Sequence, residues 1–168
     1  MKQFVTGLFL LMGAFAISQE QFAFTEEGLT PQSISTQIDN DDLYTKASQW
    51  ITDNAENYKL KIVDTLENKS IQFTMIKGNA TSIYKQFYNV RYTINLSFED
   101  NQFTFKPKVI DLKLNSKYDM GWKSFDLNDT TEYFKRGKPI GKYKAYLKNI
   151  IAPMNTLYFQ LSYYLKNN

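Results

Sequence analysis

The chain of 168 residues contains no cysteine and no histidine. Those two absences exclude a cysteine thiolate nucleophile, a Ser-His-Asp triad, a thiolate or imidazole zinc site and a His-ligated haem. Glycine and proline are few, at 7 and 4 residues, while phenylalanine and tyrosine reach 13 and 12. A disordered or low-complexity chain has the opposite balance, and aromatic enrichment favours strands. The formal net charge is only +3, so charge alone gives no argument for nucleic acid or an anionic membrane as partner.

A long apolar run occurs once. Lys2 precedes the uncharged stretch from Phe4 to Ile17, whose length suits a secretory leader and is short for a membrane span. Ala16 and Ser18 place small residues three and one before Gln19. We therefore expect a signal peptide over residues 1–18, cut between Ser18 and Gln19. An uncleaved anchor or a buried core helix fits position and flanks less well. Without a cysteine after the apolar run, no diacylglycerol anchor can be attached. The expectation is an exported soluble protein, periplasmic or extracellular, not a lipoprotein, with no membrane span in its mature chain.

Residues 19–168 read as a single domain, large enough to bury a core without disulfides or metals. Phe22-Ala23-Phe24 alternates as a short strand, and Glu26, Glu27, Gly28 and Pro31 suggest a connecting loop. The spacing of Leu43, Ala47, Trp50, Ile51 and Tyr58 predicts a helix over 42–57. Asp39, Asp41 and Asp42 lack the intervals of a calcium loop and fit a capped, dipole-favoured helix start. Leu60 to Leu66 and Ile71-Phe73-Met75 predict one hairpin. Tyr88 to Phe98 and Phe103 to Ile110, around Glu99-Asp100-Asn101, predict a second. Pro107 implies an edge position or a bulge.

Residues 115–141 carry Gly121, Gly137, Pro139 and Gly141 and read as a long irregular segment. Beyond it Leu147, Ile150, Met154, Leu157, Leu161 and Leu165 follow helical spacing, with Pro153 kinking that helix or opening a second. The expected fold is α+β: an antiparallel curved sheet of about five strands with two helices on one face, in the order β-α-β-β-β-β-α.

Leu43 to Trp50, Val90 to Leu96, Asn101 to Phe105 and Gly137-Lys138-Pro139-Ile140 resemble a domain of unknown function with a TATA-box-binding-protein-like (TBP-like) fold, found in exported proteins of Bacteroidota. The core of the resemblance covers residues 22–114, and the loop and helix of 115–168 follow it. It implies the curved sheet with helices on its outer face, and it brings no activity and no catalytic residues. Where that family has a Lys-Asp-Gly turn followed by Arg-Tyr-Arg, this chain has Glu99-Asp100-Asn101-Gln102-Phe103-Thr104. A fold does not carry function by itself, so the likeness gives no argument for nucleic acid.

Tyr118, Trp122, Phe125, Tyr133 and Phe134 form the candidate binding surface, since ring faces stack on sugars or peptides and loops carry function. The plainer account is an apolar cluster pinning the loop to the sheet. Lys135, Arg136, Lys138, Lys142, Lys144 and Lys148 could meet the phosphates of an envelope glycolipid or form a solvated face. Asp64, Glu67, Glu99, Asp100, Asp111 and Asp119 fall at turns or on solvent faces, and a glycosidase-like site would need two of them at a fixed separation. Sequons at Asn68, Asn79, Asn95 and Asn128 are assigned no meaning. No motif specifies a catalytic residue, a cofactor or a metal.

The reading is a noncatalytic binding module of the bacterial cell envelope, whose partner is an envelope protein, glycan or lipid. The alternative is a carboxylate-dependent hydrolase acting on envelope polysaccharide or peptide, and a third reading is a structural accessory protein.

Overall fold

The computed structural model describes residues 20–39, 42–118 and 121–168. The leader, its cleavage point at Ser18 and Gln19, and the acids Asp41 and Asp119 lie outside the described residues. Alternation dominates the centre of the chain. Val90, Tyr92, Ile94 and Leu96 are fully buried, while Arg91, Thr93, Asn95 and Ser97 between them face the other way and stay partly open. A strand turns successive side chains to opposite faces, so one face is core and the other polar.

Ten strands and three α-helices are built among the described residues. β1 (Ala23–Thr25) pairs with β2 (Gly28–Thr30) as a separate hairpin. β3 (Ile34–Gln37) leads to α1 (Leu43–Asp53) and α2 (Ala55–Tyr58). Then come β4 (Leu60–Leu66), β5 (Ser70–Ile83), β6 (Gln86–Glu99) and β7 (Gln102–Leu114), followed by the short β8 (Lys123–Phe125). A 3-10 turn at Thr131–Tyr133, the two-residue strands β9 (Phe134–Lys135) and β10 (Lys138–Pro139), and α3 (Gly141–Asn167) complete the chain. The main sheet is antiparallel and curved, in the order β3-β7-β6-β5-β4.

β3 and β8 share the outer edge of β7: β3 pairs with Gln102 to Phe105, and β8 with Ile110 to Leu112. Pro107 sits in the gap between them. Its missing N–H is needed by neither neighbour, and the register with β6 slips there, from Thr93 opposite Val109 to Ile94 opposite Pro107. Edge and bulge, given as alternatives by the sequence, occur together.

α3 and α1 pack on one face of the sheet. The stripe Leu147, Ile150, Met154, Leu157, Leu161 and Leu165 is buried as its spacing predicts. Pro153 lies inside this single unbroken helix, where its ring cannot donate to the Asn149 carbonyl. One turn away the Tyr92 hydroxyl, on the sheet, donates to the Ile150 carbonyl at 2.7 Å.

Several elements differ from their sequence expectation. The stretch around Glu26 to Pro31 is not a plain loop, because it holds β2, and β3 follows at the sheet edge. β3 escapes a hydropathy reading because its inward Thr36 is polar, satisfied by a 2.9 Å hydrogen bond to the Tyr158 hydroxyl. The first expected strand, at Phe22 to Phe24, belongs to the small hairpin and not to the main sheet. The first helix divides at Asn54, whose backbone N–H and side-chain amide both bond to the Trp50 carbonyl. Asp42 occupies the N-cap position of α1 without a side-chain capping bond. β5 runs eight residues beyond Met75, absorbing Gly78 and Asn79 in a bulge between Lys77 and Thr81.

Candidate functional site

The five loop aromatics divide between interior and surface. Phe125, on β8, pairs with Ile110 of β7 and points inward, 5.0 Å from the Phe24 ring and 5.4 Å from that of Tyr133. Phe125 and Phe134 are both buried, and Tyr133 is half-buried between Phe125, Tyr143 and Tyr146. Trp122 is half-buried, and Tyr118 is 92% exposed. The structure therefore corrects the expectation of one exposed patch. Phe125, Tyr133 and Phe134 pin the loop, while Tyr118 and Trp122 present surface.

Pinning the loop opens a cleft of about 490 Å³ between the start of β6, the end of β7, the segment 121–133 and the start of α3. Leu112 and Leu114 form its floor, and Tyr88, Tyr118, Tyr133 and Tyr146 supply ring walls. The sequence concealed half of this lining, since Tyr88 sits in a strand and Tyr146 in a helix. Tyr146 reaches the cleft because α3 is held there: the buried Thr81 hydroxyl donates to the Tyr146 carbonyl at 2.9 Å. Burial raises the phenol pKa of Tyr133 and of Tyr146 well above the usual 10, with the neighbouring Glu132 adding to both shifts. Both groups are neutral O–H donors at any physiological pH.

Three acids rim the cleft, Asp126, Asp129 and Glu132. Asp126 accepts the backbone N–H of Asn128 at 2.8 Å and of Asp129 at 3.3 Å. Asp129 accepts the Thr131 N–H at 2.9 Å and its hydroxyl at 2.7 Å, and those bonds, the backbone one first, hold its pKa below the ordinary 3.8. Such bonds shape a loop. The carboxylate oxygens at the rim can also accept from hydroxyl groups of a ligand.

On the opposite, open face lies a second arrangement. Arg91 donates through Nη2 (2.9 Å) and Nε (3.1 Å) to Asp111, whose other oxygen accepts the Ser124 hydroxyl at 2.8 Å. The Arg91 guanidinium also lies over the Trp122 ring, 4.7 Å from its centroid. Asp111 is buried and paired with a fixed cation, which removes it from the carboxylates available for acid-base work. Beyond this ladder the open face carries Ser35, Thr104 and Ser97 in one cross-strand row and Lys106, Asn95 and Gln72 in another.

A further cleft of about 500 Å³ brings Asp42, at the start of α1, together with Glu99 and Asp100 in the β6–β7 turn. All three residues are exposed. Among the described residues no group of three or more Cys, His, Asp or Glu side chains is placed to hold a metal ion. No helix there is long and apolar enough to cross a membrane.

Searches against family models and curated proteins return no match. Two solved structures are similar. A TBP-like protein from Parabacteroides distasonis superposes with a TM-score of 0.57 at 15% identity, covering 80% of this chain and 91% of that one. A DUF4468 family protein from Bacteroides ovatus gives a TM-score of 0.53 at 14% identity, covering 81% and 85%. At such identities the likeness shows architecture alone, and the architecture agrees with the curved sheet and helices described above: this chain has the TBP-like fold of these Bacteroidota proteins.

Proposed function

We propose that the protein is an exported, noncatalytic binding module of the bacterial cell envelope that takes a polyhydroxylated ligand, a glycan, in the tyrosine-walled cleft. One observation carries this reading. Four tyrosines from β6, α3 and the 115–133 segment converge on one concave site with an apolar floor. Tyrosine rings bury a sugar's apolar face while their hydroxyls, and the carboxyl groups at the rim, hydrogen-bond its hydroxyl groups. The apolar leader supports the envelope as the place of action.

Soluble envelope glycan fragments should shift backbone amide resonances of residues 112–133, and Tyr118→Ala should weaken that binding about tenfold, as loss of one stacked ring does. Tyr118 is exposed, so its removal leaves folding intact. Fragments that move no resonance in this segment would sink the proposal. The hydrolase reading has one observation in its favour, the meeting of Asp42, Glu99 and Asp100 in a cleft. Their exposure argues against it, because a general acid gains its raised pKa from desolvation. Fragment cleavage that disappears in Glu99→Gln would reverse the choice.

A further inference from the structure

The β5–β6 turn is built from the wrong residues for its geometry. Ile83 pairs with Gln86, leaving a two-residue turn in which Tyr84 and Lys85 both have positive φ, at 50° and 63°. Such turns favour Asn-Gly, because a side chain with a Cβ is strained in the left-handed region. Packing does not offset the strain: Tyr84 is 70% exposed, and Phe87 beside it is 54% exposed. Strain kept where the side chains face solvent points to a use for those side chains.

Charge gives the use a sign. No Asp or Glu occurs between Glu67 and Glu99, a stretch that contains the hairpin up to Phe98 together with Lys69, Lys77, Lys85 and Arg91, the last paired with Asp111. Two neighbouring segments add to the tip. The Asn115 N–H donates to the Phe87 carbonyl at 2.8 Å, which brings Lys117 and the exposed Tyr118 to its flank. At the start of α3 the Lys142 ammonium donates to the Tyr84 hydroxyl at 2.9 Å and lies 4.7 Å from the Tyr143 ring centroid. The small net charge of the chain conceals this asymmetry, which is that of the hairpin itself; Asp126, Asp129 and Glu132 rim the neighbouring cleft that Tyr118 also lines.

We propose that this tip docks the protein peripherally on an anionic phospholipid surface. Tyr84, Phe87 and Tyr118 act as interfacial rings, and Lys85, Lys117 and Lys142 attract the headgroups. Rings with one apolar and one wet end settle at headgroup level. Lysines held there add electrostatic attraction that falls with salt. With three rings and no acyl chain the contact is reversible. It overlaps the glycan cleft only at Tyr118, since Tyr84 and Phe87 do not line that cleft.

The test is co-sedimentation of the purified protein with vesicles of phosphatidylcholine alone, and with vesicles of phosphatidylcholine and phosphatidylglycerol in equal parts. Binding to the mixed vesicles, abolished by high salt and absent on phosphatidylcholine, is expected. The double change Tyr84→Asn with Lys85→Gly installs the favoured turn. It should raise the thermal midpoint yet lower the vesicle partition coefficient roughly tenfold or more, from one ring and one lysine lost together. Phe87→Ser should lower it as well. Equal binding to both vesicle types, or undiminished binding by the Asn-Gly variant, overturns the proposal. So does a tip that proves to mediate self-association without binding vesicles.

Discussion

Asn155 is a poor helix former in the middle of α3, and its amide explains its presence. The Phe22 N–H donates to Asn155 Oδ1 at 2.9 Å, and Asn155 Nδ2 donates back to the Phe22 carbonyl at 2.9 Å. Both residues are buried, so the side chain does for Phe22 what a neighbouring strand would. Asn155→Ala leaves two buried backbone groups unpaired at about 1–3 kcal/mol each, less about 0.6 kcal/mol of regained helix propensity. The net loss is about 3 kcal/mol, which lowers the thermal midpoint by roughly 6–12 °C for a chain of this size. Urea unfolding followed by far-ultraviolet circular dichroism should show the midpoint falling by about 1.5–2 M with an unchanged slope. Asn155→Asp separates the two bonds. It keeps the acceptor for the Phe22 N–H but sets a carboxylate against the Phe22 carbonyl, so burial and repulsion raise its folded pKa. A raised carboxyl pKa means stability that is present below the unfolded value and lost as pH rises through the folded one. This variant should therefore be weakest at neutral pH and recover in acid. An Asn155→Ala loss under about 1 kcal/mol would show that water replaces the amide and would refute the reasoning.

Gly28 has φ 114°, and a Cβ there would meet the Leu127 carbonyl oxygen at 2.3 Å; Gly28→Ala should cost at least about 2 kcal/mol, measured by urea unfolding, and should displace the resonances of the cleft rim. The Asp129 carboxyl should titrate by NMR below 3.8, and Thr131→Val should return it towards that value. Because that pKa is depressed, the Asp129 contribution to stability is present above 3.8 and lost as pH falls through the folded value. Trp122→Ala removes a partly exposed cation–π contact and should cost at most about 1 kcal/mol; it should leave glycan binding unchanged, because Trp122 does not line the cleft. A Trp122→Ala variant that loses glycan binding would contradict the assignment of the two faces.

What the sequence made legible follows from periodicity. β6 alternates from Tyr88 to Phe98, β7 from Gln102 to Lys108, and the α3 stripe repeats over about five turns, so core and fold class could be read directly. What failed to show was satisfied outside its own segment. Thr36 is inward because Tyr158, on a distant helix, meets its hydroxyl, and Phe22 is buried beyond the ladder because Asn155 serves its backbone. Neither partner leaves a trace in local hydropathy. The turn at Tyr84-Lys85 was invisible for the opposite reason, since its residues break the turn preference that a reader would use.

The loop of 115–141 unites these points. Its aromatics are close in sequence, which suggested one surface, but β8 imposes the strand period on them. Phe125, opposite Ile110, follows the inward side of β7, whereas Ser124, opposite Asp111, follows the outward side with Trp122 and Arg91. Three paired residues on the half of the β7 edge left free by β3 thus distribute the loop between two faces. Pro107 lies at the division between the two partners, where it has no N–H to offer a longer β3 or β8. A proline that reads as a defect in a strand stands, in this sheet, where the edge of β7 passes from β3 to β8, whose pairing sends Phe125 to the cleft face and Ser124 to the Arg91 ladder.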